Sequence, residues 1–212
     1  GGDMAARKTR ETAGCRRALE ELISLTCPSQ ANELSNRLVD RFGSLGDAMA
    51  ARAADRTGIL GDVPEVERTI QCLRRTMNHI LRGRIEQRRV VSNERALLDY
   101  LRMAMAFEPI EQFRVLFLNA ANELLADEIL GIGTVSRVHL YPREVMKRCL
   151  EIGATTIILV HNHPAGTAEP SRADRNLTQR MMAAAQPLGI TVDDHLVICR
   201  YGYVSFRRAG LM

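Results

Sequence analysis

The sequence predicts an α/β fold, a mixed sheet with helices on its faces, preceded by a small all-α module. Three observations lead there. Before Val90, apolar residues recur at three- and four-residue spacing and no strand-like run occurs. From Phe113 onward, short β-branched and aromatic runs alternate with helix-period segments, the mark of a layered α/β architecture. A polar stretch at residues 83–94 joins the two regimes and divides the chain into residues 1–90 and 91–212.

In the first part, residues 18–23 and 34–42 read as amphipathic helices, with Leu34, Leu38 and Phe42 on one face. Breaks are expected at Pro28-Ser29, Gly43-Ser44 and Gly58-Ile59-Leu60-Gly61-Asp62. Residues 64–81 form a further helix, with Pro64 in its first turn. In the second part, residues 113–118 (FRVLFL) read as a buried strand and 119–122 as a turn. Residues 124–129 and 135–140 follow as strands, and 142–152 as a helix opened by Pro142. The β-branched run 155–160 (TTIILV) is a central strand. Residues 171–186 form a helix, and 190–200 and 203–206 the last two strands.

With 212 residues, 46% hydrophobic and 25% charged, the chain buries a real core, which excludes overall disorder. No run approaches the ~18 apolar residues of a membrane span. No apolar stretch follows the charged N-terminus, so no signal peptide is expected. Cys15, Cys27, Cys72, Cys149 and Cys199 are scattered and form no C-x-x-C pair. That excludes a disulfide scaffold and a four-cysteine zinc site, and it suits a reducing cytoplasm. Cys149 and Cys199 read as core residues, His79 and His139 as structural.

The densest chemistry lies in HNHPAGTAEPSRAD, residues 161–174. His161 and His163, two apart where a strand ends, point to one side. A short Pro/Gly loop returns the chain to a helix whose first turn holds Asp174. Two imidazoles and a carboxylate suit Zn²⁺ and leave a fourth position for water, whose pKa then drops towards ~7. Two plainer readings stand beside this one. Ser171-x-x-Asp174 is also an N-capping box, with Asp in the place of Glu. Paired histidines at a strand end can equally be exposed polar residues. A zinc deaminase is excluded, because H-x-E and P-C-x-x-C are both absent. The contiguous H-N-H is likewise not the dispersed nuclease motif of that name.

The pattern H-x-H, seven residues, Ser, two residues, Asp resembles the JAMM motif of MPN (JAB) metalloproteins. With FRVLFLN upstream and GITVDDHLVI downstream, residues 91–211 resemble the RadC family in particular. The resemblance implies an MPN fold, a curved mixed sheet against helices with zinc at one end. It implies His161, His163 and Asp174 as zinc ligands, and Ser171 as the hydroxyl that steadies an oxyanion. Glu111, just before FRVLFLN, takes the place of the general base, with Glu108 one helical turn earlier as second choice. A surface carboxylate or a helix-end charge is the plainer reading of Glu111. His195, in Asp193-Asp194-His195, matches a histidine that relatives carry and is a candidate outer partner of a ligand, or a hydrogen-bonded strand histidine. Asn119 stands where many relatives carry Asp, at a turn.

The helical part resembles, more loosely, a helix-hairpin-helix module that grips DNA phosphates. Its Gly-h-Gly turn is replaced by Gly58-Ile59-Leu60-Gly61, one residue longer, so the hairpin is degenerate. Charge speaks separately. The net +4 belongs to residues 1–107, with 18 basic and 14 acidic side chains, against 11 of each in 108–212. Arg74, Arg75, Arg82, Arg84, Arg88 and Arg89 lie close in sequence, opposed only by Glu86. Arg82, Arg84, Arg88 and Arg89 are candidate nucleic-acid contacts, or else a solvated helix end and linker. Aromatics, at 4%, are too few for a base-stacking platform.

The leading expectation is a zinc-dependent hydrolase of peptide or isopeptide bonds in a DNA-repair or DNA-transfer setting. Its substrate would be a protein or peptide, with DNA reached through the basic helical part. The alternatives are a DNA-binding, repair-associated module with a structural or vestigial metal site, and a metal-dependent nuclease.

Overall fold

The structure, a computed structural model, describes residues 2–86, 90, 94–133 and 140–212, and their side chains except at 2–10 and 86. It separates into two compact units, Gly1–Met77 and Asn78–Met212.

The first unit is all helical. It holds α1 (Gly2–Ser24), a 3-10 turn (Pro28–Gln30), α2 (Ala31–Phe42), α3 (Leu45–Ala50), α4 (Ala53–Leu60) and most of α5 (Pro64–Glu86). Leu19 and Ile23 of α1, Leu34 and Leu38 of α2, and Val66 and Ile70 of α5 meet in one core, each pair at helical spacing. Gly43 ends α2 at φ +83°, its N–H donating to Val39 O, and Ser44 then caps α3 by accepting from Asp47 N–H.

The break expected at residues 58–62 is narrower than the sequence suggested. Gly58, Ile59 and Leu60 complete α4, and only Gly61, at φ +75°, leaves it. Burial of Leu60 in the core outweighs the weak helix propensity of Gly58.

Arg56, 3% exposed, organises this unit. Its Nε and Nη2 donate to Glu67 at 2.8 and 2.7 Å, and its Nη1 donates to the carbonyls of Ala48, Met49 and Ala51 at the end of α3. One side chain thus pairs α4 with α5 and satisfies the helix end that α3 leaves open. Arg56→Ala is expected to cost the helical unit about 3–5 kcal/mol by stranding Glu67 and those carbonyls. Urea denaturation followed by helicity checks this, and an unchanged midpoint would contradict it.

The second unit begins with the end of α5 and continues through α6 (Glu94–Met105), β1 (Gln112–Leu118), β2 (Leu124–Ile132), α7 (Pro142–Ile152), β3 (Thr156–Asn162), α8 (Arg172–Ala185), β4 (Thr191–Cys199) and β5 (Gly202–Ser205). The five strands form one mixed sheet in the order β2-β1-β3-β4-β5. The β3–β4 pair is parallel, and every other pair is antiparallel. Helix α8 is the crossover that a parallel pair requires.

Strand alternation sorts the sheet into two buried faces. Leu116, Leu118, Ile158, Val160, Leu196 and Ile198 pack with Leu97 and Leu101 of α6. Phe113, Val115, Phe117, Ile157 and Leu159 pack with Val145 and Cys149 of α7 and Met181 of α8. Both faces being covered explains why β1 and β3 read as continuous apolar runs. Burial also pushes the Cys149 thiol up to about 11.

Two strands run further than their sequence limits. β2 reaches Ile132, because β1 offers partners as far as Gln112. β3 reaches Asn162, because β1 and β4 flank it to its end, with Phe113↔His161 and Asn162↔Ile198 in register. The turn at 119–122 is present. Asn119 Oδ1 accepts from the N–H groups of Ala121 and Glu123, which is ample work for that residue type. The strand expected at 135–140 falls, except for Leu140, outside the described residues, and so does His139. Among the described residues no helix is long and apolar enough to cross a membrane.

Candidate metal centre

The chain folds so that β3 ends in the site. His161 is its penultimate residue and points, with Ile157 and Leu159, to the α7–α8 face; His163 follows at the strand's exit. A loop at residues 164–170 leads to Ser171, the N-cap of α8. The capping box is complete: Asp174 N–H donates to Ser171 Oγ at 3.2 Å, and Asp174 Oδ2 accepts from Ser171 N–H at 2.7 Å. The capping and ligand readings of Asp174 are therefore compatible, because the cap holds the carboxylate towards the histidines. Glu111 arrives from the other side, one residue before β1.

Ligand atoms of Glu111, His161, His163 and Asp174 lie within 4.8 Å of one another. The two Nε2 atoms are 2.9 Å apart; Asp174 Oδ1 is 3.3 Å from His161 Nε2, and Oδ2 is 3.6 Å from His163 Nε2. Glu108 is not in this group; its carboxylate accepts from Gln112 Nε2. Ser171 Oγ donates to Asp174 Oδ2 at 2.7 Å.

Proton bookkeeping decides what these atoms offer. Thr178 Oγ1 donates to the backbone carbonyl of Asp174 at 2.7 Å, so towards His195 Nδ1, 2.6 Å away, it accepts. His195 is fully buried, and burial, reinforced by His161, drives its pKa well below the usual histidine value. A neutral His195 protonated on Nδ1 presents a bare Nε2, which accepts from His161 Nδ1–H at 2.8 Å. His161 Nε2 is then a lone pair. His163 Nδ1–H donates to Thr167 O at 3.0 Å, which leaves its Nε2 as the second lone pair. Asp174 Oδ1 is buried and accepts no hydrogen bond among the described residues.

Three Lewis bases thus face one another with no donor between them, an arrangement that fits a cation. Around a tetrahedral Zn²⁺ with bonds of ~2.0–2.1 Å, ligand atoms stand roughly 3.3 Å apart. The observed 2.9, 3.3 and 3.6 Å bracket that spacing.

The surroundings hold the rings. Phe113 lies parallel to His161, with centroids 5.8 Å apart and 7° between planes, and Phe206 stacks on His195 at 4.5 Å. Burial opposes ionisation of Asp174, yet its contacts with His161, His163 and Ser171 hold the carboxyl far below the usual carboxylate range. Asp174 in turn raises His163.

In the metal-free chain, His195 makes stability depend on pH. Its folded pKa lies below its unfolded value near ~6.5, so its contribution is complete above pH 6.5. Below that the unfolded state binds the extra proton, and stability falls by about 1.4 kcal/mol per pH unit until the folded pKa is reached. His163 is shifted the other way and has made its full contribution by then. Urea midpoints of chelator-treated protein should drop between pH 6.5 and 5.5, and a flat profile would contradict this.

Sequence reasoning did not single out Thr178 or Asn162. Thr178 could have been found, since it lies four residues after Asp174, on the same helix face. Of the basic run, Arg75, Arg82 and Arg84 are exposed, and Arg88 and Arg89 lie outside the described residues. Arg74 is half-buried, donating to Ala50 O at 3.5 Å, and burial lowers its pKa.

Among known families, the one described as RadC-like JAB domain matches residues 91–211. A UPF0758 protein of Rhodobacter capsulatus is 45% identical over 195 residues, covering 92% of this chain and 91% of the relative. With that domain spanning the sheet and both histidines, and likeness to the relative extending almost end to end, the chain belongs to the RadC family of MPN/JAB proteins.

Proposed function

We propose that the chain is a zinc-dependent hydrolase of amide bonds, of metallopeptidase or isopeptidase type. The observation that carries this reading is the pair of facing Nε2 lone pairs closed by a buried carboxylate, with Glu111 in the same ring. His161, His163 and Asp174 would hold the ion. When bound, Zn²⁺ supplies Lewis acidity, which acidifies water and polarises a carbonyl. Glu111 accepts the proton of the attacking water on its carboxylate and returns it to the leaving amine. Half-buried, it does so beside the ligands. Ser171 steadies the developing oxyanion once its O–H, here donated to Asp174, turns to the substrate. His195 orients His161 and fixes its tautomer, so that the neutral ring presents Nε2 to the site.

The test is a metal analysis joined to a cleavage panel. Purified protein reconstituted with Zn²⁺ should carry about one ion per chain and cleave a peptide or isopeptide substrate. Absence of bound zinc overturns the reading. Cleavage confined to DNA or RNA replaces it with a nuclease.

A further inference from the structure

Asn162 stands between the two histidines and belongs to neither their chemistry nor their face. Strand alternation turns it to the opposite side of β3, where it is 1% exposed. There it meets the segment that carries Glu111. Its Oδ1 accepts from Gln112 N–H at 2.7 Å, and its Nδ2 donates to Ile110 O at 3.2 Å and Glu108 O at 3.3 Å. One amide uses its acceptor and both donors on three peptide groups that flank Glu111. The carbonyl of Glu111 itself accepts from Gly133 N–H at 2.8 Å.

This segment needs an anchor. Residues 106–111 connect α6 to β1 without regular structure, and among the described residues the bond from Gly133 N–H to Glu111 O is the sheet's one backbone hold on them before Gln112. A general base is effective only when its carboxylate is held at the reacting atoms, and a free connection would let it wander. Asn162 removes that freedom on both sides of Glu111 and leaves only the glutamate's own torsions.

We infer that Asn162 is the positioning residue for Glu111. His161-Asn162-His163 thus sets two ligands on one face of the strand and, on the other, the anchor of the backbone that carries the base. The placement of the base relative to the two histidines is therefore a property of three consecutive residues. The inference rests on the metal and general-base reading above.

Cobalt substitution tests it, because the visible spectrum of Co²⁺ reports ligand geometry and the charge beside the ion. Wild type, Glu111→Gln, Asn162→Ala and the double variant are loaded with Co²⁺, and zinc affinity is measured alongside by chelator competition. Asn162→Ala should shift the cobalt spectrum as Glu111→Gln does, leave zinc affinity unchanged, and add nothing in the Glu111→Gln background. A wild-type spectrum in Asn162→Ala overturns the inference. So does a shift that adds to that of Glu111→Gln, or a loss of zinc affinity, since either would mean general damage. Wild type that binds neither metal instead removes the hydrolase reading itself.

Two further measurements do not depend on the alanine variant folding. Asn162→Asp keeps the acceptor for Gln112 but loses both donors, and it should give the same spectral shift. In wild type the Gln112 amide should exchange as slowly as those inside β1. Fast exchange there would show that the clamp does not form.

Discussion

His161→Ala abolishes the zinc-dependent rise in thermal stability that the wild-type protein is expected to show. An ion bound only by the folded state stabilises it by about 2.7 kcal/mol when free zinc is 100 times the dissociation constant. For a unit of this size that corresponds to roughly 10 °C in the melting temperature. Removing His161 takes away one of three donors and opens the site towards His195. Loss of affinity should then exceed the ~10–100-fold attached to outer partners of a ligand. Differential scanning fluorimetry with and without zinc reads the result directly. Substituted protein that still melts higher with zinc would place the ion elsewhere.

Glu111→Gln separates chemistry from binding. The amide fills the same space and leaves His161, His163 and Asp174 untouched, so zinc should remain bound. The carboxylate's ability to take a proton is lost, and hydrolysis of the substrate identified by the cleavage panel should fall by about 10²–10⁴-fold. The loss should appear in kcat with KM little changed, because the missing interaction belongs to proton transfer. A variant that keeps its rate would remove Glu111 as the base. Glu108, whose carboxylate is occupied by Gln112, would be the next residue to substitute.

Much of the second unit was legible because its code is local. β1 and β3 are apolar runs buried on both faces, and α8 announces itself by Ser171 and Asp174. The two histidines and the aspartate share one 14-residue string. Glu111 is different, lying fifty positions before His161, and only the antiparallel register Phe113↔His161 brings it near. No spacing rule reveals such a neighbour; the family resemblance did. Gly58 was misread because a glycine signals a turn only where the chain must leave the helix, and here Gly61 serves that need. Asn162 was invisible for another reason: its partners are backbone groups, which every residue possesses.

The capping box at α8 also fixes how many atoms Asp174 can give. Oδ2 already accepts two donors from Ser171, while Oδ1 has none. On the proposed metal reading, Asp174 would therefore coordinate through Oδ1 alone. Ca²⁺, which prefers six to eight oxygens and often bidentate carboxylates, would find little in such a site. A four-coordinate ion content with two nitrogens and a single oxygen would be matched. On the proposed metal reading, the backbone N–H that begins a helix would thus favour ions that ask for one carboxylate oxygen.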